Sequence, residues 1–388
     1  MILTQCPVCA ASLPARTAKQ CSRCKTRYCG PACQKKHWEE GGHDKLCRKI
    51  RKSGGAELYN ANTQYAAAVA VAAEKCADDT KGQTCYICTQ ALHWKTKEGL
   101  VRGCSCRGTA GFAHVSCLAE QAKILVADAE ERNLDDNKWH RWHTCSLCEQ
   151  NYHGVVACAV GWACWKTSLG RPEADWTRRL AIGVLGNGLN KAKRHEAALS
   201  VREAELAMMW RLGDSEEHIL ITQTNLAINY DLLGRREEAL SLRRKVYTGC
   251  LKRSGEGHER TLRAASNYAS SFTGLKRFEE ARTLLRKTMP VARRVLGENN
   301  FITLHLRCNY AQSLCCDAAA TLDDHREAVA TLEEIEPTAR RVLGSANPLA
   351  AQIERELQQS QEVLRAREAS VDVTAVCAAL DAMAVRKT

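Results

Sequence analysis

Between Cys85 and Cys148, cysteine and histidine residues fall into four close pairs: Cys85-x2-Cys88, Cys104-x-Cys106, His114-x2-Cys117 and Cys145-x2-Cys148. No other feature restricts the folding of the chain as tightly. A short loop that carries two soft ligands presents both to one ion, and zinc is the metal that paired Cys/His sets suit. Four pairs suit two zinc ions. A second set lies upstream, in the pairs Cys6/Cys9, Cys21/Cys24, Cys29/Cys33 and His43/Cys47. It suits two more, so four Zn2+ are expected, two per module. Such sites are closed and structural, with no open position for chemistry. Loss of a ligand is expected to unfold its module, because metal binding supplies on the order of 10 kcal/mol of folding free energy.

The alternative use for 22 cysteines is a disulfide framework. Met1-Ile2-Leu3-Thr4-Gln5 offers no apolar run before Cys6, so no secretory signal is expected. Without export, metal binding is the better reading. The most apolar stretch, Val155 to Trp165, is too short to span a bilayer. The expectation is a soluble protein of the cytosol or nucleus with no membrane span.

Composition points to helices. The 388 residues suffice for two or three domains, and 45% are hydrophobic. An aromatic content of 5% and seven prolines favour helices over a sandwich or barrel. The formal charge of +12 counts every cysteine as neutral. If the cysteines of the eight pairs bind four Zn2+ as thiolates, it falls to about +6. Residues 1–52 hold twelve Lys and Arg against Glu39, Glu40 and Asp44, so the basic excess is local. A solvated basic face explains it better than a nucleic-acid partner does.

The upstream order Cys-x2-Cys-x11-Cys-x2-Cys-x4-Cys-x3-Cys, then His-x3-Cys, resembles the MYND zinc finger. Tyr28-Cys29, Cys33-Gln34 and Trp38 are part of the match, which covers about 42 residues of the chain. The resemblance implies interleaved sites. Cys6, Cys9, Cys29 and Cys33 hold one zinc; Cys21, Cys24, His43 and Cys47 hold the other. His37 follows Cys33 by four positions and competes with His43, which is preferred because His43-x3-Cys47 completes the last pair. The resemblance also implies short, often proline-containing peptides as partners.

The central ligand order, four Cys, one His and three Cys, occurs in the RING-CH (RINGv) finger of ubiquitin ligases and in the PHD finger of chromatin readers. The one-residue gap in Cys104-x-Cys106 and the seven residues Arg107 to Ala113 before His114 favour RING-CH. The run Cys106-Arg-Gly-Thr-Ala-Gly-Phe-Ala-His114-Val-Ser-Cys117-Leu118 looks like its core. A PHD finger carries an aromatic two residues before the seventh ligand, where this chain has His143, with Trp142 one residue out. The resemblance implies a cross-brace. Cys85, Cys88, His114 and Cys117 take one zinc; Cys104, Cys106, Cys145 and Cys148 take the other. His93, His140, His143 and His153 are read as surface or packing residues. In that family an apolar residue between the first two cysteines, here Ile87, docks a ubiquitin-conjugating enzyme, and catalysis is by proximity. The family also favours a Trp after the sixth ligand, where this chain has Leu118-Ala119-Glu120-Gln121-Ala122. Two functions therefore stay open for this finger, a ubiquitin ligase and an interaction finger without activity.

Between the fingers, Ala56 to Cys76 reads as one helix packed on a neighbouring finger. After them a repeat begins near Trp176. Gly213, Gly255 and Gly297 recur at 42 residues, as do Ala197, Ala239 and Ala281, and Asn225, Asn267 and Asn309. The step to Gly344 is five residues longer, which places an insertion between Cys315 and His325. Each unit reads as two helices ended by Gly, and stacked units form a solenoid. The repeat resembles the tetratricopeptide repeats of kinesin light chain over about residues 176–345. That resemblance implies a concave groove lined by first helices, where Asn225, Asn267 and Asn309 meet a peptide backbone or bond within their own repeats. Gly183 stands at this position in the first unit, which suggests a degenerate groove end.

The expected fold is mainly α, with two small cross-braced zinc-binding domains followed by a helical solenoid. The expected limits are 1–52 for the first finger, 53–84 for a helical connector and 85–153 for the second finger. A connector helix at 154–175, the solenoid at 176–369 and a tail at 370–388 complete the chain. No phosphate-binding glycine loop, nucleophile elbow or acid/base pair occurs, so no catalytic residue is assigned. The expected function is a protein-interaction adaptor with peptide partners in the groove and first finger. A ubiquitin-ligase scaffold is its sharper form, and a chromatin factor or non-catalytic scaffold is the alternative.

Overall fold

In the computed structural model, residues 6–9, 11, 13, 18–134, 138–345 and 347–385 are described, with side chains as far as 369. The fold is mainly α. It divides at residue 233 into two compact units, Met1–Leu233 and Gly234–Thr388. Among the described residues no helix is long and apolar enough to cross a membrane.

The first unit opens with a small finger. Strands β1 (Lys19–Gln20) and β2 (Arg27–Tyr28) pair antiparallel, and helices α1 (Pro31–Glu39) and α2 (His43–Lys52) follow. Pro31 lies in the first turn of α1, where a missing N–H costs nothing. Tyr28, Ile50 and Ala56 pack against the cysteines in a core too small to hold the finger alone. Helix α3 (Ala56–Lys75) then leads through the short α4 (Ala77–Thr80) into the second finger. That finger has two isolated bridges, Val101 to Ala113 and Thr144 to Asn151. It contributes α5 (Val115–Glu131) and a 3-10 turn at Trp139–Trp142.

Helix α6 (Gly154–Ser168), expected as a connector, is buried along nearly its whole length. A helix apolar on every side is stable in water only when enclosed. Here α3, α5 and α7 (Trp176–Lys191) enclose it, in one core that includes Trp142, Val156, Trp162, Trp165 and Leu185. So α3 packs on α6 as well as on the second finger, where the Tyr65 hydroxyl lies 3.1 Å from Ser116 Oγ. Helices α8 (His195–Leu212) and α9 (Glu216–Leu232) complete the unit. Asp175 caps α7 and Ser215 caps α9 through backbone N–H groups.

The second unit contains helices α10 (Arg236–Ser254), α11 (Glu259–Gly274), α12 (Phe278–Leu296), α13 (Phe301–Cys315), α14 (Leu322–Leu343) and α15 (Pro348–Val385). Leu262, Leu285, Leu304 and Leu332 form its core. The small residues Ala239, Ala269, Ala281 and Ala311, which let the helices pack closely, are fully buried, as is Ala227 in the first unit. Gly213, Gly255, Gly297 and Gly344 each follow a helix at positive φ, which ends it at the repeat's own step. The insertion is divided between a longer loop, 316–321, and a longer α14 that starts on a Thr321–Asp324 capping box. Helix α15 runs unbroken from Pro348 to Val385, so no element boundary falls at the expected start of the tail. Residues 386–388 lie outside the described residues.

Candidate functional site

The structure brings the paired ligands together in four sets. They are Cys6, Cys9, Cys29 and Cys33; Cys21, Cys24, His43 and Cys47; Cys85, Cys88, His114 and Cys117; and Cys104, Cys106, Cys145 and Cys148, each within 4.8 Å. In both fingers the sets are cross-braced, so each ion would tie an early loop to a late one.

The spacing inside the sets fits zinc. Tetrahedral bonds of about 2.3 Å to sulfur and 2.05 Å to nitrogen put neighbouring donors roughly 3.5–3.8 Å apart. The Sγ atoms of Cys21 and Cys47 are 3.8 Å apart, as are those of Cys106 and Cys145. Cys9 and Cys33 each lie 3.5 Å from Cys29. No disulfide has such lengths. His43 Nε2 lies 3.4 Å from Cys24 Sγ. His114 turns the other nitrogen inward, with Nδ1 3.3 Å from Cys88 Sγ. Its Nε2 lies 3.3 Å from the Ala91 carbonyl, an outer contact of the kind that orients a ligating imidazole.

Backbone amides prepare several thiols. Ile87 and Leu147 N–H groups donate to Cys85 and Cys145 Sγ, each at 3.4 Å. Burial raises the Cys6 thiol, yet N–H groups of Cys29, Cys9 and Val8 bring it down to about 6. Cys148 falls to about 7, against burial, through the Gln150 N–H, the Cys106 thiol and the Ser105 N–H. Thiolates are the form that binds metal. Gly111, in the glycine run before His114, has φ +84°, and a Cβ there would stand 2.6 Å from Cys106 Cβ and 2.9 Å from its sulfur.

His37 stands outside the sets. Its Nδ1 lies 3.0 Å from the Tyr28 hydroxyl, and its ring packs on His43. His93, His140, His143 and His153 are also outside them. Cys76, Cys158, Cys164, Cys250 and Cys308 are buried thiols, Cys315 is partly buried and Cys316 is exposed. Cys377 lies beyond the described side chains.

The three asparagines read as groove residues part company. Asn309 is 2% exposed. Its amide donates to Ser266 O, Ser266 Oγ and Ser270 Oγ at 3.0–3.2 Å, all on the preceding first helix. Asn309 is therefore spent on stacking neighbouring hairpins and cannot meet a ligand, which corrects its assignment to the groove. Asn267 is half-buried. Asn225 is half-buried too and lines a cleft of about 810 Å³ in the first unit.

Gly183, where a degenerate groove end was expected, lines this same cleft. Leu180 and Ile221 on its floor are 41% and 46% exposed. Gly183 and Gly186 leave room for the guanidinium of Arg202, which is buried. Arg202 Nη1 donates to Glu205 Oε2 at 2.6 Å, and Nη2 reaches Gly183 O at 3.2 Å. A Cβ at position 186 would stand 2.8 Å from Arg202 Nε.

A second surface lies on the second finger. Ile87 is 37% exposed and shares a shallow pocket of about 400 Å³ with Trp94 and Ile124. Sequence spacing from the sixth ligand passes over Trp94, which the fold brings in from the loop after Cys88. Helical spacing does indicate Ile124, since Cys117, Gln121 and Ile124 follow one face of α5.

Residues 6–47 match the MYND finger family, and residues 261–301 match the tetratricopeptide repeat family. No curated protein matches the chain. Among solved structures it is similar to Podosopora anserina putative kinesin light chain nearly identical TPR-like repeats. There the identity is 17% and the TM-score 0.41, or 0.40 in a second structure of that title, over 58% of this chain and 95% of that one. It is also similar to BtubC (BKLC) from P. vanneervenii, at 14% identity and TM-score 0.37, over 66% of this chain and 92% of that one.

Proposed function

We propose that this chain is a zinc-stabilised protein-interaction adaptor, with two Zn2+ in each finger. The observation that carries the reading is that every ligand set is filled by four protein side chains. No position is left for water or substrate, so the metal is structural and the surfaces do the work. The MYND finger takes short, proline-containing peptides. The repeats take extended segments through half-exposed positions such as Asn225 and Asn267. The basic face of the first finger is solvated rather than bound to nucleic acid. Zinc thiolates persist where thiols stay reduced, which supports the cytosol or nucleus. The test is an array of proline-containing, acidic and basic peptides probed with the zinc-loaded full chain. Saturable binding to one class is expected, and an array with no bound class rejects the adaptor.

The exposed Ile87, Trp94 and Ile124 favour a sharper reading of the second finger. It is RING-CH-like, with this apolar shelf receiving a ubiquitin-conjugating enzyme. Trp94 supplies the aromatic that the residues after Cys117 lack. Autoubiquitination with a panel of conjugating enzymes tests it. The expected result is activity that Ile87→Ala abolishes while zinc content stays the same. Inactivity with every enzyme leaves the finger as a non-catalytic interaction module.

A further inference from the structure

Helix α13 ends on two adjacent cysteines. Cys315 is its last residue, and Cys316 caps it with φ −85° and ψ −7°. The Cys316 N–H donates to the Gln312 carbonyl at 3.0 Å, so helical bonding runs through both residues. Cys315 is partly buried, and Cys316 is exposed where the 316–321 loop begins. Neither belongs to a zinc set. Two adjacent thiols outside a metal site can be oxidised as a pair.

The surroundings give the two sulfurs different roles. The Cys316 thiol lowers its neighbour most, burial opposes it, and the Ser360 hydroxyl lowers it again, so Cys315 falls to about 7 in spite of the Glu356 carboxylate. Ser360 on α15 is 2% exposed, and among the described residues its hydroxyl has no hydrogen-bond partner. Its proton is thus left for a thiolate beside it. Gln312 holds Glu356 at 3.0 Å, and burial raises that carboxyl, which weakens its opposition. Cys316 is pushed upward by Cys315 and by burial, so it keeps its proton. The thiolate is the nucleophile, which makes Cys315 the attacking sulfur and Cys316 the resolving one. Cys308 takes no part. It precedes Cys315 by two helical turns, about 10 Å along the axis. It is fully buried, and burial pushes its thiol up to about 12.

We propose that Cys315 and Cys316 are a peroxide-reactive dithiol whose reversible disulfide loosens the end of α13. The Cys315 thiolate attacks one oxygen of a hydroperoxide, and the O–O bond breaks. Cys315 becomes a sulfenic acid, and the departing oxygen takes the proton that Cys315 gave up. The Cys316 sulfur then attacks the sulfenic sulfur. The S–O bond breaks, the S–S bond forms, and hydroxide leaves as water with the Cys316 proton. The two thiols lose two electrons, and the peroxide gains them. Adjacent Cα atoms stand about 3.8 Å apart, short of the usual disulfide span of about 4.4–6.8 Å. Such a ring is strained, so cellular thiols reduce it readily. Closing it draws the chain off the helical path next to Asp317. Asp317 pairs with Arg282 of α12 at 2.8 Å. Arg282 is 6% exposed and also donates to Ser313 O at 2.9 Å. The disulfide therefore weakens the seat of α13 on α12.

The test titrates the zinc-loaded full chain with hydrogen peroxide, then measures zinc content and maps tryptic peptides by mass. Peptide 308–326 holds both sulfurs. It should lose two hydrogens at doses that release no zinc, and dithiothreitol should restore them. In Cys316→Ser, dimedone should trap the sulfenic acid on Cys315. In Cys315→Ser, labelling of the same peptide should fall by about ten-fold or more. The oxidised chain should unfold at a lower temperature than the reduced one. The double variant Cys315→Ser/Cys316→Ser should show no such shift at the same dose. A peptide 308–326 that stays reduced at doses that strip zinc overturns the dithiol. Dimedone labelling of Cys316 in Cys315→Ser at the rate seen for Cys315 overturns the assigned order of attack. Equal unfolding midpoints with and without the disulfide overturn the loosening of α13.

Discussion

Asn309 and Asn267 occupy equivalent places in the repeat and do different things. Asn309 is buried, with three hydrogen bonds to the preceding hairpin, whereas Asn267 is half-buried. Asn309→Ala should destabilise the second unit by about 1–3 kcal/mol, the cost of leaving buried partners unpaired. Asn267→Ala should cost less, and urea unfolding of the full chain measures both. His325 offers a pH test in the same unit. It is 1% exposed, and neither ring nitrogen has a protein partner. Burial lowers its pKa below 6.5, Arg367 on α15 lowers it further, and Asp324 partly opposes them. A neutral imidazole is thus required in the folded state. Its contribution is complete above the ordinary histidine value and is lost as pH falls from there through the lowered one. His325→Leu should flatten the loss of stability between about pH 7.5 and pH 5.5 relative to the parent chain. An unchanged slope would show that the ring is not buried in its neutral form.

Two helix crossings show what a sequence can and cannot announce. Helices α6 and α7 meet at glycines from both sides. A Cβ on Gly188 would stand 2.5 Å from the Ala157 carbonyl, and one on Gly161 would stand 3.2 Å from Leu185 Cα. These are backbone contacts, so no rotamer change relieves them. Gly188→Ala should cost about 1–3 kcal/mol by overpacking. Gly274→Ala, in α11 with nothing within 4 Å, should instead stabilise by about 0.4–1 kcal/mol. Thermal unfolding of the two variants should show shifts of opposite sign. The pairing of Cys and His was legible because each pair is local and spaced for one ion. The helical hairpins were legible because Gly213, Gly255 and Gly297 repeat at a fixed step. The place of α6 was not, since a short apolar run such as Val155 to Trp165 looks the same whether it links two domains or fills one. The fate of Asn309 was not legible either, because periodicity says which residues are equivalent and not which become buried. Trp94 shares its pocket with Ile124, a neighbour distant in sequence, and no local pattern marks it.

Metal and apolar burial hold different parts of the molecule. The ligand sets of the first finger sit within a small cluster of buried side chains with little else to fold around, whereas those of the second finger join the larger core around α6. Apolar burial of that size stabilises a domain of about 50 residues poorly without a metal. The second unit holds none of the four sets among its described residues, and its core is built from leucines and alanines of successive hairpins. Metal analysis of the full chain should therefore find about four zinc ions, since each set offers four ligands. Two would mean that one finger folds without metal. Stripping the zinc at neutral pH should unfold the fingers, because thiolates released from the ion lose the interaction that ordered them. Residues 234–388 should keep their helices and their own unfolding transition. Limited proteolysis of the stripped chain should then leave a resistant fragment from beyond residue 233, while the zinc-loaded chain resists cleavage in the fingers as well. Loss of all helical signal on chelation would show instead that the second unit depends on the metal.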